Sequence, residues 1–576
     1  MDFHLSVSLT YKEVFDDYEA FDLADAVSRI PSRAALEVLG YVMAQLHTKE
    51  RSSKTQLEIL RMWLSRIPDS TKARVEYVIN KINKEASGSK THSGDFNFVN
   101  NVSTLKLIQE VFNNFNNNED EDLTPEQELL LFKSYLYVSQ KWTDEQADSV
   151  KGMKAGNKEE FAKFFLNFHM PYIEHFEFKD FRMQIIKAIY FFRFCESNPQ
   201  FKTYLEIFIL DRGLNSWQEY LVNILKVYVR KFEPLKTPSI ITFKDAEVGI
   251  VPWLKELSIN ESEYRSNQDF RELREKPVFE VRDNEFVFLN LNFLIDKIYQ
   301  GIQFDFAASL VKHKAKYNGK RIKDYPQFKS IYGEEFSEKH MFYAVMKYCF
   351  RDKKLIKFSG EELRHQIDGE PDFYIRDKAK IYVFECKDVT IAANAKQSPD
   401  VNVKIDEVFK KLVKNEKGAD KGVTQLVNTI KKIRSGEFLK IDAGALKNSI
   451  IYPIIVHIDF SLQVPGINVV LNSEFRRQIA AAGLSMDAGI KNVSLLHLDT
   501  LIKFQDLFNS GQLKINNCLN SYYELSVNRN PLYSIASLDN HLHDKAAEMN
   551  YDSPKIMMEE LEKVLSEVGI DEVGEQ

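Results

Sequence analysis

From about residue 12 to 84, apolar residues recur at three- and four-residue steps, as in "SRAALEVLGYVMAQLHTKE" and "TQLEILRMWLSRI". That spacing lines one face of an amphipathic helix. The Gly/Ser-rich "KEASGSKTHSGD" (84–95) then reads as a linker. Its Gly88-Ser89-Lys90 follows a helix and lacks the full spacing of a phosphate-binding loop, so no such loop is read there. A second helical block runs from about 101 to 235, broken by the acidic "NNNEDEDLTPEQE" (116–128). Thr124 before Pro125 and Glu126 marks the next helix start. Helices such as "EEFAKFFLNFHM" and "FRMQIIKAIYFFRFCE" are so apolar that they must pack against one another. Their aromatic residues sit at helical spacing and read as core, not as a base-stacking platform.

The texture changes after a loop around 236–275. "KPVFEVRDNEFVFLN" alternates about Asp283-Asn284, a hairpin signal. "LNFLIDKIYQGIQFDFAASL" returns to helix, and an ordered series follows. "GEEFSEKHMFYAVMKYCF" (333–350) is an amphipathic helix, "KLIKF" (354–358) a strand, and "DFYIRDKAKIYVFECKDV" a hairpin. "KGVTQLVNTIKKIRSGEF" (421–438) is a helix stopped at Ser435-Gly436; "SIIYPIIVHID" (449–459) and "NVSLLHLD" (492–499) are strands of buried type. The expected class is α/β, a mixed sheet flanked by helices after a large, mostly helical region. The helix before the 449–459 strand suits a crossover connection. The tail, 553–570, is a separate helix with Ser553 as N-cap and Pro554 at its first position. Met557, Leu561, Val564, Leu565 and Val568 form a stripe expected to dock on the protein itself. Five segments result: 1–84 and 98–270 helical, 275–325 bridging, 330–530 carrying the sheet, and 540–576 an acidic terminal helix.

Composition narrows the class. The chain has 576 residues, 44% hydrophobic and 28% charged, as ordinary globular proteins do. Its longest apolar runs fall short of the roughly 20 residues that span a bilayer, and "MDFHLSVSLTYKEVF" lacks signal-peptide features. Four scattered cysteines suggest neither a disulfide framework nor a zinc site, so a reducing cytoplasm is expected. The net charge of −7 argues against a nucleic-acid partner only superficially. Residues 541–576 hold ten acids and three bases, which is the whole excess, while "VKHKAKYNGKRIK" (311–323) holds six Lys/Arg and no acid. Charge distribution, not its sum, decides.

The chemistry concentrates in the hairpin. Residues two apart on a strand share a face, so Ile381, Val383, Glu385 and Lys387 point one way and Tyr382, Phe384 and Cys386 the other. With the turn centred between Asp377 and Lys378, Asp372 lies opposite Val383, on the face of Glu385 and Lys387; a one-residue slip would remove it. Two carboxylates and one ammonium then converge at one end of the sheet. Mg²⁺ takes such hard oxygen ligands, Asp372 and Glu385 here, with the Cys386 carbonyl a further oxygen. Lys387 would orient or activate a water or steady a phosphodiester transition state.

Pro371-Asp372, followed by Glu385-x-Lys387 at the end of an apolar strand, resembles the PD-(D/E)XK nuclease superfamily with its restriction-endonuclease-like fold. The resemblance covers roughly 330–500. It implies a Mg²⁺-dependent endonuclease (Mn²⁺ as a substitute) with Asp372 and Glu385 as metal ligands and Lys387 as the catalytic lysine. Many members place a glutamate after Gly-x-x-Phe on the preceding helix. Here Gly333-Glu334-Glu335-Phe336 leads into Ser337 and Glu338, leaving Glu334, Glu335 and Glu338 as candidates, with Glu338 preferred. Gln425 matches a glutamine some members carry on the following helix. The implied partner is nucleic acid, DNA rather than RNA, with no membrane; a homo-oligomer or a partner subunit is compatible. The implied setting is restriction or anti-phage defence in the cytoplasm. The chain supplies its own controls, since Pro68-Asp69, Pro399-Asp400 and Glu177-Phe178-Lys179 lack the hairpin context. The basic residues of 408–422, with Lys431, Lys432 and Arg434, are candidates to track a phosphate backbone; His365 reads as a loop histidine. The rival reading is a helical interaction or scaffold protein with an inactive nuclease-like domain that grips nucleic acid or a partner without cleaving.

Overall fold

The computed structural model describes the chain apart from residues 1–6, 49–52, 88–95, 119–121, 154–155, 177–178, 233–239, 243–250, 268, 528–530, 552–553 and 568–576. Gly88-Ser89-Lys90, the linker around it, Glu177-Phe178 and the proposed Ser553 cap lie outside the described residues. The first half is helical as the periodicity predicts. Thr124 caps the helix Pro125–Ser149 by accepting from the Gln127 N–H, with Pro125 at the first position, where its missing N–H costs nothing.

Among the described residues, twelve strands accompany the helices. β1 (Val7–Ser8) and β2 (Phe96–Asn97) pair in parallel across the N-terminal helices. β3 (Ile240–Thr242), β4 (Val278–Arg282) and β5 (Glu285–Phe288) form a three-stranded sheet around the Asp283-Asn284 turn, in which Asn284 takes a positive φ of 60°. β6 (Lys316–Tyr317) and β7 (Lys320–Arg321) form a short antiparallel hairpin. The main sheet joins β8 (Ile356–Ser359), β9 (Phe373–Asp377), β10 (Lys380–Lys387), β11 (Ile450–His457) and β12 (Ser494–His497) in the order β12-β11-β10-β9-β8. β9 runs antiparallel to both β8 and β10, whereas β10, β11 and β12 are mutually parallel. Two helices, Val401–Leu412 and Gly422–Ser435, carry the chain across from β10 to β11.

β10 is buried on both faces, which explains its unbroken apolar run. Ile381 and Val383 pack with Val408, Leu426 and Ile430 of the crossover helices. Tyr382, Phe384 and Cys386 pack with Phe336 and Phe342 from the helical segment before β8. A third apolar cluster joins the N-terminal helices to β4 and β5 through residues such as Trp63, Phe132 and Phe279. The clusters run across the sequence segments rather than within them.

The β9–β10 register differs from the expected one by a single pair. Asp377 pairs with Lys380 and Tyr374 with Val383, so Lys378-Ala379 forms the turn and Lys378 takes a φ of 55°. The stretch Asp377-Lys378-Ala379-Lys380 contains no Asn-Gly or Asp-Gly pair, so its sequence leaves the turn centre open. Continuing the ladder one step beyond Phe373↔Phe384 sets Asp372 across from Glu385, not Val383. The shift preserves side-chain parity, and Asp372 stays on the face of Glu385.

A buried ionic junction ties together residues far apart in the chain. Glu174 (helix Ile173–Phe176) pairs with Arg274 at 2.6 Å and Lys396 at 3.0 Å and accepts from the Ser461 hydroxyl at 2.7 Å. Lys179 pairs with Asp296 alongside. The tail helix, Lys555–Glu567, docks on helices Phe181–Ser197 and Trp217–Phe232. Val564 is fully buried, Leu561 packs beside it, and Arg193 meets Glu560 at 3.1 Å. The side chains of Met557, Leu565 and Val568 lie outside the described set.

Candidate active site

The end of β10 brings together Asp372, Glu385, Lys387 and Glu338. Lys387 Nζ donates to Glu385 Oε2 at 2.8 Å and to Asp372 Oδ2 at 3.4 Å. Asp372 Oδ2 also accepts the Cys386 backbone N–H at 2.6 Å, which fixes its carboxylate against the strand. Glu385 is wholly buried, and its Oε1 has no hydrogen-bond partner. This is no solvated surface ion pair.

Electrostatics follow from the count of charges. Three carboxyl groups share one ammonium in a site nearly closed to water, and burial disfavours every charged form. Burial, then the neighbouring Asp372, pushes the Glu385 carboxyl well above its ordinary range in spite of Lys387. Glu338, hydrogen-bonded to Asp372, is pushed up to about 8 by burial first and by Asp372 second. Burial pulls Lys387 down, but Asp372 and Glu385 outweigh it and hold the ammonium charged.

The helix preceding β8 settles which glutamate reaches the site. Residues Gly333–Phe342 wind as a π-helix, whose extra residue per turn rotates the side chains away from α-helical positions. Glu334 and Glu335 turn outward to Lys339, at 2.9 and 3.0 Å. Ser337, where the resemblance expects the acid, is buried and donates to Asp388 Oδ2 at 2.6 Å. Asp388 also pairs with Lys329 at 2.7 Å. Asp388, Ser337 and Lys329 thus brace the residue after Lys387, a support that the strand pattern alone did not disclose.

The loop before Asp372 is pinned too. Gly360 N–H donates to the Asp372 carbonyl at 2.9 Å, and Arg364 pairs with Glu370 at 3.2 Å. Lys432 donates to the carbonyls of Asp368 and Gly369. Arg434 donates to the carbonyls of Lys447, Ser449 and Ala488. Both residues hold backbone rather than face a phosphate track. In the 408–422 run, Lys410, Lys411 and Lys414 meet Glu416, Glu407 and Asp420 at 3.4–3.7 Å, so these charges are largely answered within the fold. His365 is an exposed residue of the loop after β8.

Gln425 stands apart. It lies on Gly422–Ser435, lining a cleft of about 740 Å³ with Asp368, Glu370, Asn428 and Lys431. Its Oε1 is buried and unpartnered, and no hydrogen bond joins it to Asp372, Glu385 or Lys387.

The site's donors suit a hard divalent cation in kind, since all are oxygens and one, Glu385 Oε1, is buried with nothing to bond. Among the described residues, however, no group of three or more His, Cys, Asp or Glu side chains is placed to hold a metal ion, and Lys387 bridges the two carboxylates. The chain matches no family model, no curated protein and no solved structure. Among the described residues no helix is long and apolar enough to cross a membrane.

Proposed function

We propose that this chain is a nuclease of the PD-(D/E)XK type that hydrolyses phosphodiester bonds, DNA in preference to RNA, with Mg²⁺ or Mn²⁺ as cofactor. One observation carries the reading: Asp372, Glu385 and Lys387 converge, buried, at the end of a central strand, with a carboxylate oxygen left unbonded. A protein seldom keeps such an under-satisfied cluster unless it works. Asp372 and Glu385 are the residues that would hold the ion, with the Cys386 carbonyl beside them. Once bound, the ion would supply charge neutralisation and an acidified water. Lys387, held charged, can donate to a phosphate oxygen as negative charge builds there. Glu338, with its raised pKa, can carry a proton near neutral pH and release it as cationic charge arrives. The long helical region suits a regulated enzyme, as in restriction or anti-phage defence.

A second reading has its own support. The Lys387 ammonium spans both carboxylates, as it would in a domain that grips nucleic acid without cutting it. The decisive experiment incubates the protein and its Lys387→Ala form with plasmid and single-stranded substrates, with Mg²⁺ or Mn²⁺. Metal-dependent cutting by the parent alone supports the nuclease. Equal cutting by both sinks the mechanism, and binding without cutting by either favours the second reading.

A further inference from the structure

The β6–β7 hairpin carries a charge pattern that folding does not need. Its cross-strand partners are Lys316 with Arg321 and Tyr317 with Lys320. Like charges set directly opposite one another on paired strands repel, so Lys316 facing Arg321 is a local cost. Lys314 and Lys323 flank them, and all five cations are exposed. Among the described residues none of the five has an ion-pair partner, whereas neighbouring Lys312 and His313 both meet Asp211.

The hairpin is also rigid. Asn318 and Gly319 take φ of 47° and 78°, the left-handed pair of a tight two-residue turn. Ile322 is fully buried at its base and its N–H bonds the Ala315 carbonyl. The Lys316 carbonyl accepts from the Tyr204 hydroxyl at 2.6 Å and from Gln200 at 3.2 Å. Cations on a fixed ribbon lose little freedom when they meet an anion.

Its surroundings point to the kind of anion. Two residues beyond Lys323, Tyr325 stacks on Phe304 at 4.1 Å and 13°, and Phe304 is 49% exposed. An exposed flat ring beside unanswered cations suits a nucleic acid, which offers phosphates and bases together. On the other side, Tyr317 titrates high through burial and then through the Glu335 and Glu334 carboxylates. Tyr317 thus meets the outward-turned glutamates of the π-helix. We propose that β6–β7 is a phosphate-gripping prong that holds nucleic acid on this face of the protein. This deepens the nuclease reading, yet it concerns binding alone.

The test is made in the Lys387→Ala full-length protein, without divalent metal, by anisotropy on labelled duplex DNA and single-stranded RNA across salt concentrations. Replacing Lys316, Lys320 and Arg321 with serine is expected to weaken binding about tenfold or more near 0.1 M salt. The log–log salt slope should flatten by about 2–3, at roughly 0.9 for each phosphate no longer neutralised. An unchanged thermal midpoint shows that the exposed variant folds. Unchanged affinity and slope overturn the proposal, as does a variant that loses only binding to vesicles of anionic phospholipid. If the parent cuts and the triple variant binds and cuts equally well, the prong fails while the nuclease stands. If neither cuts but the prong governs binding, the nuclease fails while the prong stands.

Discussion

Two of the buried charge clusters among the described residues answer the same problem oppositely. At the junction, Glu174 has an arginine, a lysine and a hydroxyl, and its carboxyl is held well below the ordinary range because Arg274, Lys396 and Lys179 together outweigh burial. At the end of β10, Glu385 has one shared lysine and is pushed up by burial and Asp372. A buried carboxylate with enough donors is structure; one with too few is held for something else. Burial alone separates nothing here, since both are desolvated. The count of partners does.

Breaking that contrast should give its largest effect at Arg274. Arg274→Ala breaks the shortest buried pair of the junction, leaving Glu174 only Lys396 and the Ser461 hydroxyl, and is expected to destabilise the protein by about 3 kcal/mol, measured by denaturant unfolding. Lys387→Ala should instead cost cleavage, on the order of 10²–10⁴-fold in rate, with far less change in unfolding midpoint. If the two substitutions lower stability alike, the distinction between the clusters collapses.

The junction also has a pH signature. The depressed folded pKa of Glu174 contributes stability above its unfolded value, near 4.3, and loses it as pH falls through the folded value. The stability gap between the parent and Glu174→Gln should be full at pH 7 and shrink on acidification below about pH 4, read from denaturation midpoints. A gap that widens on acidification would contradict the assignment. Smaller effects separate the glutamates of the π-helix. Glu338→Gln is expected to slow cleavage by about 10-fold or more. Glu334→Gln, which removes only an exposed pair with Lys339, should cost no more than ~0.5 kcal/mol and leave cleavage alone.

The contrast also marks what a sequence can carry. Alternation along 380–387 placed Glu385 and Lys387 on one face, because a strand's period is two and β10 keeps it without a bulge. The turn centre was not legible, since Lys378 adopts a left-handed conformation that no residue type there announces. The site survived because the register moved by a whole pair. Ser337 and Glu338 could not be ranked by α-helical spacing where the helix is π. The junction was invisible for another reason: Glu174, Arg274 and Lys396 lie 100 and 222 residues apart, and only folding makes them neighbours. Gln425 shares a helix with Lys432, yet nothing local tells which residues of that helix turn toward Asp372.

The π-helical winding of Gly333–Phe342 has a consequence for how this chain can change. A π segment holds more residues per turn than the α-helix on either side, so it is a register offset stored in the backbone. Deleting one residue between Gly333 and Ser337 would let the segment relax to α-helical spacing, and the tighter winding would offset the lost residue, so that Glu338 keeps its bearing on Asp372. Conversely, a single inserted codon in an ordinary helix would suffice to create the offset. At this position the winding of the backbone can absorb a gained or lost residue while Glu338 keeps its bearing on the strand end.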